Sequence, residues 1–131
     1  MESPVVNSLL KILALIALIL APIKAALLTV GFLIFLDLVT GIWAALKRAE
    51  SLQSAALRRT VSKMIIYQMA VISAFLIEHY ILAETLPMTK VVAGFIALVE
   101  LKSILENSNT ILGTDVFKLL IKKLGSKNDN I

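Results

Sequence analysis

Long apolar stretches alternate with short polar ones along the chain, and this pattern predicts helices of membrane-spanning length. Residues 25–46 and 64–83 are almost entirely apolar, and each approaches the roughly 20 helical residues that cross a hydrocarbon core. Basic residues bound both stretches, with Lys47 and Arg48 after the first and Lys63 before the second. Both stretches are therefore interpreted as transmembrane helices.

A shorter apolar stretch precedes these two. Residues 5–21 are predicted to form a first span, and Pro22 and Lys24 are predicted to form a tight turn before the next one. The same residues also have the length of the apolar core of a signal peptide. In that alternative the chain would be cleaved near Ala25 or Ala26.

The last apolar stretch, residues 88–105, is interrupted by Glu100 and Lys102, so that a lone helix of this sequence would insert poorly. Packed against other spans with its polar side turned inward, it is predicted to be a fourth span. A re-entrant or half-inserted helix is the alternative. Four spans with both termini inside would place both basic segments, 47–63 and 114–131, in the cytoplasm, where short loops collect Lys and Arg.

Composition excludes several classes of protein. Of the 131 residues 59% are apolar and 17% are charged, against about half and a quarter in soluble domains. A soluble helical bundle is thus the less favoured alternative, because a fold of this size leaves much of its surface exposed. The length indicates one domain, residues 1–131, and the absence of cysteine excludes disulfides and thiolate metal sites.

The sequence contains no glycine-rich phosphate loop, no paired-carboxylate or metal-ligand spacing, and no basic face with stacking aromatic residues. Neither enzymatic activity, nor a cofactor, nor nucleic-acid binding is therefore predicted. The predicted fold class is an all-α integral membrane protein, with a bundle of three to four transmembrane helices and a C-terminal basic amphipathic helix.

The two basic segments are predicted to contain helices of their own. In the loop 47–63, Ser54 is predicted to cap a short helix, and Thr114 is predicted to cap an amphipathic helix over 114–124. On the second helix the arc between apolar side chains is filled by Lys118, Lys122 and Lys123. Such a helix suits the surface of an anionic leaflet, and docking on a partner chain is the alternative. Residues 125–131 are predicted to be a tail.

Polar groups inside apolar stretches are costly and normally face protein or water. Asp37 shares a predicted face with Thr40, and Gly41 beside them permits close helix approach. On the last stretch Glu100, Ser103, Glu106 and Asn107 are predicted to share a face, and Lys102 can pair with Glu106. The candidates for intramembrane contacts or for lining an opening are Asp37, Thr40, Gly41, Lys63, Glu100, Lys102, Ser103, Glu106 and Asn107.

Two interpretations of these polar groups are open. In the first, Asp37 pairs with a Lys or Arg of the same chain, or is held by hydroxyls, and fixes how the helices pack. In the second, the polar faces meet other copies of the chain and line a water-filled opening. The polar groups of three helices that each carry a polar face are hard to pair within one small bundle. This favours a homo-oligomer.

Two motifs carry a resemblance to a known family. LDLVTGIWAALK at 36–47 is followed by Ser51 and Ser54, then by Arg58 or Arg59 and Lys63, and VELKSILENSNTILGTDVFKLL occupies 99–120. Together they resemble the holins of phage lysis and toxin secretion. The motif positions present here are Asp37, Gly41, Lys63, Glu100, Ser103, Glu106 and Asn107.

The resemblance implies a small protein of the bacterial inner membrane that accumulates as oligomers. These would then open lesions through which an endolysin or a toxin leaves the cytoplasm. A stable ion channel or small transporter component is one alternative, and a structural subunit that anchors an envelope complex is another.

Overall fold

The computed structural model of the protein describes residues 3–52 and 54–128, which are helical over most of their length and contain no strand. The prediction of an all-helical chain is confirmed. The helices in chain order are α1 (Pro4–Leu20), α2 (Lys24–Lys47), α3 (Ser54–Tyr80), α4 (Met88–Leu112) and α5 (Val116–Asn128), with a 3-10 segment, Ala21–Ile23, between α1 and α2.

Helices α2, α3 and α4 pack into a three-helix bundle with a thin apolar core. The buried core residues are Ile23, Val30, Ile34, Val71, Phe75 and Ile96. Many large apolar side chains on the same helices point outward, among them Phe32, Trp43, Ile66 and Phe95. An apolar exterior of this extent is what a bilayer or a partner protein would cover.

The tight turn predicted at Pro22–Lys24 is wrong. The 3-10 segment Ala21–Ile23 carries α1 into α2, and only Ile23, with φ −110° and ψ 11°, departs from helical angles among the residues at the join whose angles define it. Pro4–Lys47 is therefore one helical run of 44 residues. Pro22 is accommodated because it lies in the first turn of the 3-10 segment, where a missing N–H is tolerated. Helix α1 has no buried residue, and Leu20 near its end packs on the core.

The predicted loop 47–63 is also largely helical. The short helix predicted after Ser54 and the span predicted over 64–83 form a single helix, α3, which begins at Ser54 and ends at Tyr80. The basic segment is therefore a rigid extension of α3, joined to α2 by a short link.

The C-terminal part differs from expectation at three places. Helix α4 extends beyond the predicted 88–105 and ends at Leu112. Gly113 follows it, and its positive φ of 66° suits a residue without a side chain. Asp115, rather than Thr114, caps α5 by accepting hydrogen bonds from the Phe117 and Lys118 amides. Gly125 was expected to lie in the tail 125–131, but α5 continues to Asn128; residues 129–131 lie outside the described residues.

Within residues 3–52 and 54–128, two helical stretches are long and apolar enough to cross a membrane. They are Pro4–Lys47 and Ser54–Tyr80, and few of their residues are buried in the protein. Helix α4 is of similar length but is not among them. Its sequence carries Lys90, Glu100, Lys102 and Glu106.

Close approach of α2 and α3 at Gly31 gives a test of the packing. A Cβ at Gly31 would lie 3.3 Å from Gln68 Nε2, which donates a hydrogen bond to the Leu27 carbonyl at 2.9 Å. Gly31→Leu should therefore force the helices apart and lower the free energy of unfolding by about 1–3 kcal/mol. Unfolding in mixed detergent micelles, followed by circular dichroism, measures this.

The matched control is Gly94→Leu on α4, because a Cβ at Gly94 has no neighbour within 4 Å. Its stability should equal or exceed that of the parent chain, since leucine is the better helix former. Equal losses for the two variants would contradict the packing of α2 on α3.

Candidate functional site

Three helices each contribute one charged side chain to the interior of the bundle. Lys63 on α3 donates from Nζ to Asp37 Oδ2 on α2 and to Glu100 Oε2 on α4, both at 2.8 Å. Glu100 is fully buried, and the side chains of Asp37 and Lys63 are only 15% and 22% exposed. One ammonium group thus ties the three helices together at a single level.

Asn107 adds a second tie between α2 and α4. Its Nδ2 lies 3.2 Å from Asp37 Oδ1 and 3.2 Å from Thr40 Oγ1, and Thr40 in turn donates to the Leu36 carbonyl at 2.8 Å. We call this group the polar hub; it consists of Asp37, Thr40, Lys63, Glu100 and Asn107.

The polar hub is incompletely satisfied. Glu100 Oε1 is buried and accepts no hydrogen bond from the described residues. With both acids ionised, two carboxylates share one ammonium, which leaves one surplus negative charge. A buried polar atom without a partner costs about 1–3 kcal/mol, and more when it is charged. The hub therefore fixes the helix arrangement at an energetic cost.

A cavity of about 520 Å³ lies beside the hub and extends between the C-terminal half of α2 and the N-terminal part of α3. Asp37 and Lys63 line it, as do three further predicted site residues, Gly41, Ser103 and Asn107. Arg59, one turn before Lys63, lines it as well. Polar groups of the hub thus border an open cavity at one end of the bundle.

The predicted residues Lys102 and Glu106 lie apart from the hub. They form an ion pair at 3.6 Å whose side chains are 79% and 64% exposed. The prediction that Glu106 shares a face with Glu100 and Asn107 is wrong, because six residues correspond to about 600° of helix, or about 240° around the axis. The polar residues of α4 thus divide into an inner and an outer set.

Contacts that the sequence pattern did not single out lie at the two ends of the bundle. Near the hub end, Arg48 pairs with Glu50 at 2.9 Å and reaches Thr110 Oγ1 at 3.5 Å. At the other end, Glu78 Oε2 accepts a hydrogen bond from the Thr89 amide at 2.7 Å and so caps α4. An acid at the end of one helix, shortly before the start of the next, is a usable signal for such a cap.

Among the described residues, no group of three or more His, Asp or Glu side chains is placed to hold a metal ion. The contacts of the hub join α2, α3 and α4 to one another.

The sequence matches the bacteriophage holin family over residues 14–128, and the chain belongs to that family. Comparison with curated proteins and with solved structures finds no significant match. Holins permeabilise membranes and are not enzymes. With its two apolar helical stretches, the chain is therefore a holin-type protein of the inner membrane.

Replacing the shared cation tests the hub. Lys63→Met would leave Asp37 and Glu100 without a counter-ion, and removing one partner of a buried ion pair costs about 3–5 kcal/mol. Adding Asp37→Asn and Glu100→Gln to the same chain should restore most of that stability, because no uncompensated charge is left. Unfolding in mixed micelles measures all three chains.

The matched control is Lys47→Met, which removes an exposed cation at the end of α2 and should change stability by less than about 0.5 kcal/mol. If Lys63→Met is as mild as this control, Lys63 does not bridge the helices.

Proposed function

We propose that this holin self-associates in the bacterial inner membrane and opens lesions through which an endolysin or a toxin leaves the cytoplasm. The observation that carries the proposal is the polar hub. A bundle with an apolar exterior encloses two carboxylates, one ammonium and an amide, and one carboxylate oxygen has no partner among the described residues.

The bundle corresponds to a closed state in this proposal. Each copy shields its hub internally, so that it can reside in the bilayer without exposing charge to lipid. When copies crowd, α2, α3 and α4 separate and the hub groups meet water, including the unpartnered Glu100 Oε1. Charge exposed to hydrocarbon costs several kcal/mol, so that a partly opened copy is unfavourable unless its neighbours open too. Opening is therefore cooperative.

The proposed topology follows the basic segments. The link between α2 and α3 and the helix α5 face the cytoplasm, while the link between α3 and α4 faces outward. Helix α4 completes the crossing with its charged residues turned toward protein.

Helix α5 is proposed to lie on the cytoplasmic leaflet. Its apolar stripe is exposed and does not pack on the bundle core; the stripe comprises Phe117, Leu120, Ile121 and Leu124. The cations Lys118, Lys122 and Lys123 are exposed as well. Cations near an anionic surface contribute about 1 kcal/mol each, which supports anionic lipid as the surface that α5 meets.

A stable ion channel is the second candidate, favoured by the cavity that reaches Asp37 and Lys63. Beyond the hub, the apolar core residues Val30, Ile34 and Val71 close the bundle. A channel would therefore also need α2 and α3 to separate. A lesion and an ion channel differ in what crosses the membrane, because only a lesion lets a folded enzyme through.

Inducible expression in bacteria tests the function. Expression should collapse the membrane potential and release a cytoplasmic enzyme into the medium, both measured over time. An ion-selective conductance without enzyme release would favour the channel. Intact potential, with the chain in the membrane fraction, would contradict permeabilisation and point to an anchoring subunit.

Two substitutions at Asp37 should shift the onset of release in opposite directions. Asp37→Ala removes the group that joins α2 to Lys63 and Asn107, so the bundle should open earlier. Asp37→Asn keeps an acceptor for Asn107 and removes the surplus charge, so the closed state should last longer. Glu50→Ala, which removes an exposed acid, should leave the onset unchanged. If release begins at the same time in the parent chain and in all three variants, the hub does not keep the bundle closed.

A further inference from the structure

The cavity beside the polar hub has a wall on α3 that reaches well beyond the hub. Residues of this wall are spaced by single helical turns and so share one face of α3; they are Ala56, Arg59, Thr60 and Lys63. Across the cavity, α2 contributes the small residues Gly41 and Ala45, which leave room between the two helices. The volume of about 520 Å³ lies in the range of sites that bind small molecules.

Arg59 is the cation of this cavity that has no acid to bind within the chain described. The two acids of the lining are already paired, since Asp37 binds Lys63 at 2.8 Å and Glu50 binds Arg48 at 2.9 Å. Among residues 3–52 and 54–128, no carboxylate forms an ion pair with Arg59. The planar guanidinium group, with its fork of N–H donors, matches the oxygens of a phosphate group.

Other donors belong to the same cavity. The hydroxyl-bearing residues Ser51 and Ser103 line it. Helix α3 begins at Ser54, and Ala56 of its first turn lines the cavity as well, so that the positive end of the helix dipole lies beside Arg59. Hydroxyl groups and helix N-termini add hydrogen bonds to an anion that an arginine already attracts. These groups together favour phosphate as the ligand.

The remaining lining is apolar and indicates where the phosphate group comes from. Leu38 and Ile42 on α2 and Leu52 on the following link line the cavity, and a free phosphate ion has no use for such a wall. In the proposed topology this link faces the cytoplasm, where anionic lipids give the leaflet a negative potential. Basic pockets between transmembrane helices on that side bind phospholipid headgroups.

We propose that this cavity binds a phosphate group, supplied by the headgroup of an anionic phospholipid, and that Arg59 is its anchor. The inference rests on the proposed topology for the depth of the cavity, and it does not require lesion formation. A headgroup in the cavity contacts α2 and α3 together, and so adds a tie between two helices that the hub joins through Asp37 and Lys63. Anionic lipid therefore stabilises the closed bundle.

Lipid binding to the full chain in detergent tests the site. Native mass spectrometry with added phosphatidylglycerol should show a saturable first lipid on the parent chain. Arg59→Gln should weaken its binding roughly tenfold, because the phosphate group loses a charged hydrogen-bond partner.

The matched control is Arg58→Gln. Arg58 and Arg59 are both exposed, so neither change should disturb folding, and each removes one positive charge from the same segment. Arg58 is turned by about 100° from Arg59 around the helix and does not line the cavity. Its replacement should therefore change the affinity for phosphatidylglycerol by less than about twofold.

A second variant and a competitor probe the cavity independently of its charge. Ala45→Phe fills the space between α2 and α3 and should also weaken the first lipid roughly tenfold. Glycerol 3-phosphate should not displace phosphatidylglycerol, because it lacks the apolar part that the wall contacts. Displacement that Arg59→Gln abolishes would keep the phosphate site but overturn lipid as its source.

Two results would overturn the site itself. Equal losses for Arg58→Gln and Arg59→Gln would mean that the basic segment attracts lipid without a defined cavity. Unchanged binding in both Arg59→Gln and Ala45→Phe would place the lipid elsewhere. Equal far-ultraviolet circular dichroism of all chains establishes that they are folded. Failure of the proposed function is a separate result, namely a parent chain that binds the lipid through Arg59 but releases no cytoplasmic enzyme.

Discussion

One fully buried carboxylate, Glu100, and one largely buried carboxylate, Asp37, share the ammonium group of Lys63, and the closed bundle depends on that arrangement. Asp37, Lys63 and Glu100 come from α2, α3 and α4 in turn, so a shift of any one helix along its axis would leave charge without a partner. Buried ion pairs contribute little net stability but penalise alternative registers strongly. The hub thus specifies the arrangement, while the thin apolar core supplies contact area.

Much of the helical architecture could be predicted from the chain alone, because apolar stretches of fixed length have few other solutions. The positions at which helices end or continue were predicted less accurately. Pro22 and Gly125 are read as interruptions from sequence, yet a proline is tolerated in a first helical turn and a glycine costs only about 1 kcal/mol inside a helix. Local signals of this size are overridden by the neighbouring residues.

All five residues of the polar hub were among the polar candidates named from sequence. Which of them contact each other was not predicted. From sequence, Asp37 could have a partner in the same chain or in another copy, and the three polar faces favoured contacts between copies. The structure shows the internal one, Lys63. Assigning Glu100 and Glu106 to one face was an error of helical phase, and correcting it divides the polar residues of α4 into a hub that closes the monomer and an outer pair.

The polar residues of α4 thus form an inner and an outer set, and a holin has two requirements that these sets can meet separately. A copy must be stable in the bilayer before lysis, and the internally paired hub meets this requirement. It must also meet other copies without opening, and its exterior, which includes the outer pair Lys102 and Glu106, is the part of the closed bundle that they can reach. In this account association precedes exposure of Asp37 and Glu100 to water, so that crowding can be sensed while the bundle is still closed.

The central claim is that the inner face of α2 is closed to water before lysis and opens to it afterwards. Ala44 lies on this face and is fully buried, and the chain has no native cysteine, so Ala44→Cys is a clean probe in inverted membrane vesicles. A membrane-impermeant thiol reagent should leave it unlabelled before permeabilisation and label it afterwards, whereas Leu52→Cys on the exposed link should be labelled at both times. Labelling of Ala44→Cys that is the same before and after permeabilisation would contradict the account.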